Sequence, residues 1–155
     1  MASILSPVPR LIFTVLEPIS LLAGYLAPLL NTSKFVSSQV PNAIPTALTS
    51  TDRVLALQLG NCYGLVGLIG VGVLYATSEP AVVRNYIIAC AIADVGHLWA
   101  TYAVIGHESF VNVGNWNDMA WGNIGITASL FVFRLLYLMG MFGQDRVLKS
   151  ERKMI

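Results

Sequence analysis

Residues 53–76 read RVLALQLGNCYGLVGLIGVGVLYA. After Arg53 the stretch holds no charge, and it exceeds the roughly 20 apolar residues that a helix needs to cross a bilayer. Within it Gly60, Gly64 and Gly67 recur at a spacing that lets a neighbouring helix approach closely. This stretch predicts a membrane-spanning helix whose glycines serve packing.

Three further stretches of the chain are also apolar and long enough to cross a bilayer. The chain has 155 residues, of which 55% are hydrophobic and 11% charged, and its mean hydropathy of +0.69 lies outside the range of soluble globular proteins. We therefore predict an all-α fold, a four-transmembrane-helix bundle that forms one integral membrane domain over residues 1–155. The predicted helices are 9–30, 53–76, 81–105 and 119–143, with an irregular loop at 31–52 and a short basic tail at 144–155.

The distribution of charge predicts how the bundle is oriented. Lysine and arginine are retained on the cytoplasmic side of a membrane, and six of them fall on the side of the two termini against two on the other. Both termini are therefore expected to be cytoplasmic, in a multi-pass protein of the endoplasmic reticulum. A net charge of +1 provides no basic surface for nucleic acid. The six lysines and arginines on the side of the termini are Arg10, Arg84, Arg146, Lys149, Arg152 and Lys153, and the two on the other side are Lys34 and Arg53.

Four polar side chains inside the predicted helices stand out because a charge at the bilayer centre costs at least about 2.5–3.5 kcal/mol. They are Glu17, Asp94, His97 and Arg134. Counted from the helix ends, Glu17 and Arg134 lie at the same depth and can form an ion pair. Asp94 and His97, at i and i+3 on one helix face, form a second acid/base couple nearer the far side, level with Asn123. Each pair can serve either packing or chemistry.

Further candidate residues accompany these two pairs. Gln58, Asn61 and Tyr63 lie near the start of the second helix, and Trp121 and Asn123 near the start of the fourth. We expect them to contact a substrate, with Trp121 equally suited to anchoring the helix at the interface. The two cysteines, Cys62 and Cys90, lie in apolar runs without the spacing of a redox or zinc site and are expected to be buried thiols, and no nucleotide-binding loop occurs. No metal and no cofactor are predicted.

Several short motifs resemble a known family, and the resemblance covers nearly the whole chain. The family consists of small fungal integral membrane proteins with four helices, mostly described as a domain of unknown function. Some of its members look like the membrane epoxide hydrolases of fungal polyene polyketide pathways that lead to aurovertin- and citreoviridin-type products. The motifs are Leu16-Glu17-Pro18-Ile19, residues 58–63, Ala93-Asp94-Val95-Gly96-His97-Leu98, residues 116–123, Arg134 and Gly140.

The resemblance implies a metal-independent hydrolase or cyclase that opens a lipophilic polyketide or terpenoid epoxide. Ring opening needs an acid for the departing oxygen and a base for the attacking hydroxyl, and two carboxyls can divide these roles. Asp94, His97 and Glu17 are then the catalytic candidates. Either carboxyl can be the acid. Tyr63, Asn61, Trp121, Asn123, Arg134 and Gln58 are the substrate-binding candidates.

Two alternatives stay open beside this interpretation. A terpenoid cyclase or sterol-type isomerase also needs an acid in an apolar bundle. A non-catalytic accessory subunit or lipophile-binding protein would show closed polar pairs without a cavity. The expected partners are a lipophilic small molecule and membrane lipid. Self-association and association with pathway enzymes are both left open.

Overall fold

The computed structural model describes residues 4–42, 44, 47–143 and 145, and within these ranges the only regular secondary structure is helical. Four of the helices are long and apolar enough to cross a membrane. The predicted all-helical architecture with four long apolar helices is thus confirmed. In chain order the helices are α1 (Pro7–Leu30), α2 (Thr32–Ser37), α3 (Ser50–Ala76), α4 (Pro80–Val111) and α5 (Asp118–Leu138).

The helix ends correct the predicted bounds in two places. Helix α4 runs to Val111, but Gly106 has a φ of +78° and interrupts it next to the predicted end at 105. Helix α5 ends at Leu138 rather than 143, because Gly140 and Gly143 have φ values of +76° and +80° and turn the chain away. Apolar composition continues past these glycines, which is why the pattern alone placed the end too late.

The loop predicted at 31–52 is only partly irregular. It contains α2, whose first turn is capped by Asn31, the side-chain oxygen of which accepts a hydrogen bond from the Lys34 amide at 2.9 Å. Helix α3 then begins with a reciprocal capping box, in which Thr49 and Asp52 each bind the other's backbone amide. Local side-chain capping thus defines both helix starts.

Helices α1 and α3 pack closely through small residues that face aromatic rings. A Cβ atom placed on Gly24 would lie 2.9 Å from the Tyr63 ring, and one on Gly64 would lie 3.0 Å from the Tyr25 ring. On Gly60 it would lie 2.6 Å from Pro28. The predicted packing role of the glycines of α3 is confirmed at Gly60 and Gly64. Helices α4 and α5 form the second closely packed pair.

The two helix pairs converge at the end where the chain begins. Phe13 of α1 meets Tyr137 of α5 edge to face, with ring centroids 6.4 Å apart, and the N-terminal segment packs into the same cluster. This cluster closes one end of the bundle, and the cavity described below lies beyond it. Its buried members are Ile4, Leu5, Ile12, Phe13, Leu74, Val83 and Ile87.

The outward surface of the long helices is apolar and open. Leu68 and Val104 are each 74% exposed, and Trp99 is 70% exposed. Soluble monomers rarely present large continuous apolar surfaces. This exposure fits helices that contact lipid over most of their length.

Candidate functional site

Arg134 organises the interior of the bundle. It lies on α5, is only 1% exposed, and donates from its two terminal nitrogens to Asp94 of α4 and Glu17 of α1. Its guanidinium carbon lies 5.5 Å from the centre of the Phe13 ring. One cation therefore joins two carboxyl groups from two other helices, and we call Glu17, Asp94 and Arg134 the carboxyl cluster.

The predicted pair of Glu17 and Arg134 is confirmed, but Asp94 belongs to the same cluster rather than to a separate couple with His97. The reason is the direction of the side chains. In a helix they lean toward the N-terminus, so in the antiparallel α4 and α5 Asp94 leans toward the closed end while Arg134 leans away from it. Depth counted from the helix ends does not include the direction of the side chains, so it did not predict that Asp94 and Arg134 meet.

Irregular helix turns lie beside the polar groups. A π-helical segment at Ile12–Leu16 directly precedes Glu17, and a second at Trp121–Ile126 includes Asn123. Such segments widen a helix by one residue per turn and are frequent at functional sites. Here they shift the side chains that follow relative to an ideal helix.

A cavity of about 530 Å³ lies between the two helix pairs, with the carboxyl cluster at one end. Its size falls in the range of about 300–1,000 Å³ that small-molecule sites occupy. Glu17, Asp94 and Arg134 all line it, and the rest of its wall is largely apolar. Apolar lining residues include Leu21, Phe35, Val66, Met119, Ile126 and Leu130.

The cavity reaches the outer surface in the middle of the long helices. Ala23 of α1 and Ile126 of α5 line it and are exposed, as are Val66 of α3 and Ala93 of α4. All four residues are apolar and lie well inside their helices. An apolar molecule can therefore approach the cavity from the side of the bundle.

The end of the cavity away from the carboxyl cluster carries a chain of hydrogen bonds. His97 interacts with the side chain of Asn123, and the Asn123 amide nitrogen donates to the Gln39 side-chain oxygen at 3.0 Å. Gln39 in turn donates to the carbonyl oxygen of Phe35 at 3.3 Å. We call His97, Asn123 and Gln39 the histidine relay. Gln39 was not predicted, since it follows α2 in a loop and meets Asn123 only through the tertiary fold.

Asn117 fastens the same loop to the start of α5. Its side-chain oxygen caps the helix by accepting from the Ala120 amide at 2.8 Å, while its nitrogen donates to the Ser38 carbonyl at 3.1 Å. The loop that carries Gln39 is therefore held against the start of α5.

Two atoms of the carboxyl cluster have no hydrogen-bond partner within the described ranges. They are Oε2 of Glu17 and Nε of Arg134, and both are buried. A buried polar atom without a partner costs about 1–3 kcal/mol. A water molecule or a polar group of a ligand would satisfy them.

The structure brings some predicted substrate contacts to the cavity and not others. Tyr63 lines it, but Gln58 and Asn61 are exposed on the face of α3 that points away from α1. Trp121 is 49% exposed and packs against Trp116, with ring centroids 5.1 Å apart. Tyr63 lies 200° around the helix from Asn61, so the two cannot face the same site.

The two cysteines also differ in their surroundings. Cys90 is half-buried and lines the cavity, whereas Cys62, which was expected to be buried, is exposed on α3. Among the residues that the structure describes, no three His, Cys, Asp or Glu side chains are grouped so as to hold a metal ion.

The chain belongs to the family described as a domain of unknown function (DUF7704), which matches residues 2–144. No curated protein and no solved structure matches it.

Proposed function

We propose that this member of the family is a membrane-embedded enzyme that opens a lipophilic epoxide by carboxyl acid/base catalysis. The observation that carries the proposal is the position of Glu17 and Asp94, two carboxyls held by one arginine at the end of a largely apolar cavity. The likeness to fungal epoxide hydrolases noted from the sequence points to the same chemistry.

The carboxyl cluster can supply both an acid and a base. With both carboxyls ionised it carries one net negative charge, and one bound proton makes it neutral, which is the less costly state away from water. Oε2 of Glu17, which lacks a partner, is the oxygen best placed to carry that proton. Asp94, whose side chain is 12% exposed, is the more accessible carboxylate and serves as the base.

The proposed reaction conserves atoms and protons. Asp94 accepts a proton from water or from a hydroxyl of the substrate while the oxygen of that group forms a bond to an epoxide carbon. The carbon–oxygen bond of the epoxide breaks, and its oxygen takes the proton from Glu17. Transfer of the proton from Asp94 to Glu17, through Arg134-bound water, restores the starting state. Water as nucleophile gives a diol, and an internal hydroxyl gives a cyclic ether.

The cavity wall supports a lipophilic substrate. The lining beyond the carboxyl cluster is mainly apolar, and four of its five exposed members are apolar residues well inside the helices, the fifth being Asp118 at the start of α5. A substrate dissolved in the hydrocarbon layer would enter there without crossing water. We propose a multi-pass protein of the endoplasmic reticulum with both termini in the cytoplasm. Alkaline phosphatase fused to the C-terminus should be inactive, and activity would overturn that orientation.

The test is product analysis with the purified full chain in lipid nanodiscs. The probes are 1,2-epoxydodecane and 10,11-epoxyfarnesyl acetate, incubated in H₂¹⁸O. Hydrolysis should add 20 Da to each probe. Asp94→Asn and Glu17→Gln should each reduce turnover at least about 100-fold, the usual size of a general acid or base contribution.

Glu108→Gln is the matched control, because Glu108 is exposed and lies outside the cavity lining. It should turn over as wild type does. If folded wild-type protein converts neither probe, the epoxide proposal fails. Rearranged isomers formed from lipophilic olefins by the same protein would favour the cyclase or isomerase alternative, and folded but inert protein would favour an accessory role.

A further inference from the structure

The face of α3 opposite α1 carries a regular stripe of exposed residues. Successive members are spaced by 4, 3, 4, 3 and 4 positions, which is the 3.5-residue period of a helix that pairs with another helix in a left-handed coiled coil. All are exposed, and none lines the cavity. The α3 stripe consists of Val54, Gln58, Asn61, Leu65, Leu68 and Gly72.

Two members of the α3 stripe are amides at membrane depth. Asn61 follows Arg53 by eight positions, so it lies about 12 Å along the helix from that charge, inside a hydrocarbon layer about 30 Å thick. Neither the Gln58 nor the Asn61 side chain has a hydrogen-bond partner among the residues of the described ranges. A polar group that faces lipid without a partner is costly.

The chemistry of the two amide side chains indicates which partner would fit against them. Each has a donor and an acceptor, so an amide is complementary to another amide. Two copies of this chain insert in the same orientation, which makes their α3 helices parallel and brings identical positions together across a two-fold axis. Gln58 would then meet Gln58 of the second copy, and Asn61 would meet Asn61. Gly72 adds no side chain to the contact. The space around its Cβ position is open, because no other residue of the same copy lies within 4 Å of it.

We propose that the chain forms a parallel dimer in the membrane through the α3 stripe, with Gln58 and Asn61 bonded across the axis. A single amide at a core position of a coiled coil fixes register and partner number, and amides between membrane helices act in the same way. The dimer leaves the cavity of each copy open, because the α3 stripe faces away from it.

Disulfide formation between copies tests the geometry. The experiment uses the full chain with Cys62→Ser and Cys90→Ser, reconstituted in phosphatidylcholine vesicles. Leu65→Cys, on the α3 stripe, should form mostly disulfide-linked dimer on mild oxidation. Leu59→Cys is the control, because Leu59 is also exposed on α3 but points to another side. Equal crosslinking of the two variants, or none for a Leu65→Cys protein whose thiol still reacts with maleimide, would overturn the proposal.

Energy transfer between labelled copies tests the amides. Gln58→Leu combined with Asn61→Leu should raise the dissociation constant of the dimer in vesicles by about tenfold, whereas Asn115→Leu, in the connection between α4 and α5, should not. If the α3 stripe faces lipid in a monomer, the two leucines replace amides that lipid disfavours. The double variant would then be at least as stable as wild type, and association between copies would be unchanged. An unchanged dissociation constant, or a wild-type protein that is monomeric in vesicles, would contradict the dimer. Neither assay depends on turnover.

Discussion

The hydroxyl of Tyr75 on α3 donates a hydrogen bond to the carbonyl oxygen of Thr14 on α1, at 3.0 Å. In a regular α-helix that carbonyl would accept from the amide four positions later, but this position is Pro18, which has no amide hydrogen. Tyr75 therefore supplies the missing donor. The bond lies one turn from Glu17 and ties the irregular part of α1 to α3.

Loss of this bond should destabilise the bundle. Tyr75→Phe leaves the Thr14 carbonyl without its donor, and we expect the free energy of unfolding to fall by about 1 kcal/mol. Thermal unfolding in detergent micelles measures the change. Tyr102→Phe removes a hydroxyl that makes no hydrogen bond with the described residues, and it should unfold as wild type does. Equal losses of stability in the two variants would show that the hydrogen bond from Tyr75 to Thr14 does not stabilise the bundle.

Removal of Arg134 should be far more damaging than removal of either acid. Arg134→Met leaves two carboxyls in the interior without a cation, and breaking a buried ion pair in this way costs about 3–5 kcal/mol. We expect little folded protein by size-exclusion chromatography of a fluorescent fusion. Adding Glu17→Gln and Asp94→Asn to the same chain should restore part of the yield, because no unpaired charge remains. Normal folding of Arg134→Met alone would show that the carboxyl cluster does not hold the helices together.

Close contact between α1 and α3 should make Gly60 intolerant of any side chain. In Gly60→Ala the new methyl would lie 2.6 Å from Pro28, a contact that forces the two helices apart. Overpacking of this kind costs about 1–3 kcal/mol. Gly96→Ala on α4 is the matched control, since nothing lies within 4 Å of its Cβ position. The measurement is thermal unfolding, and a tolerated Gly60→Ala would mean that the helices are less tightly packed than described.

The histidine relay should fix the protonation pattern of His97. Because the Asn123 nitrogen donates to Gln39, its oxygen is left to accept the imidazole N–H, so one ring nitrogen stays as an acceptor toward the cavity. Nitrogen-15 spectra of labelled protein with His107→Gln should show a single neutral tautomer. Gln39→Ala should return a mixture of tautomers, whereas Asn115→Ala, at an exposed position outside the relay, should not. A mixture already present in the wild-type relay would contradict this assignment.

Hydropathy predicted the four long helices because lipid imposes a strong and simple requirement on composition. Positions of helix ends were less accurate, since at Gly106 and Gly140 the backbone turns within apolar sequence. The pairing of Glu17 with Arg134 was predictable from depth. The third member of the carboxyl cluster, Asp94, was assigned to another partner because depth along a helix does not include the reach and direction of a side chain.

Which polar residues face inward was harder to predict. Gln58 and Asn61 look like site residues beside Tyr63 in the sequence, yet the helical period places Tyr63 on another face, and this signal was available. Gln39 offered no comparable signal. Its contact with Asn123 joins positions 84 residues apart and depends on how the loop is held against α5.

The carboxyl cluster also constrains how the protein is made. Glu17 and Arg134 are separated by 117 positions, so the first helix enters the membrane with its carboxyl group well before the arginine has been synthesised. Until then that carboxyl must be accommodated by the insertion machinery or by protonation. Synthesis of the last helix is therefore the step that supplies the cation, and a chain truncated before Arg134 keeps the Glu17 carboxyl without it.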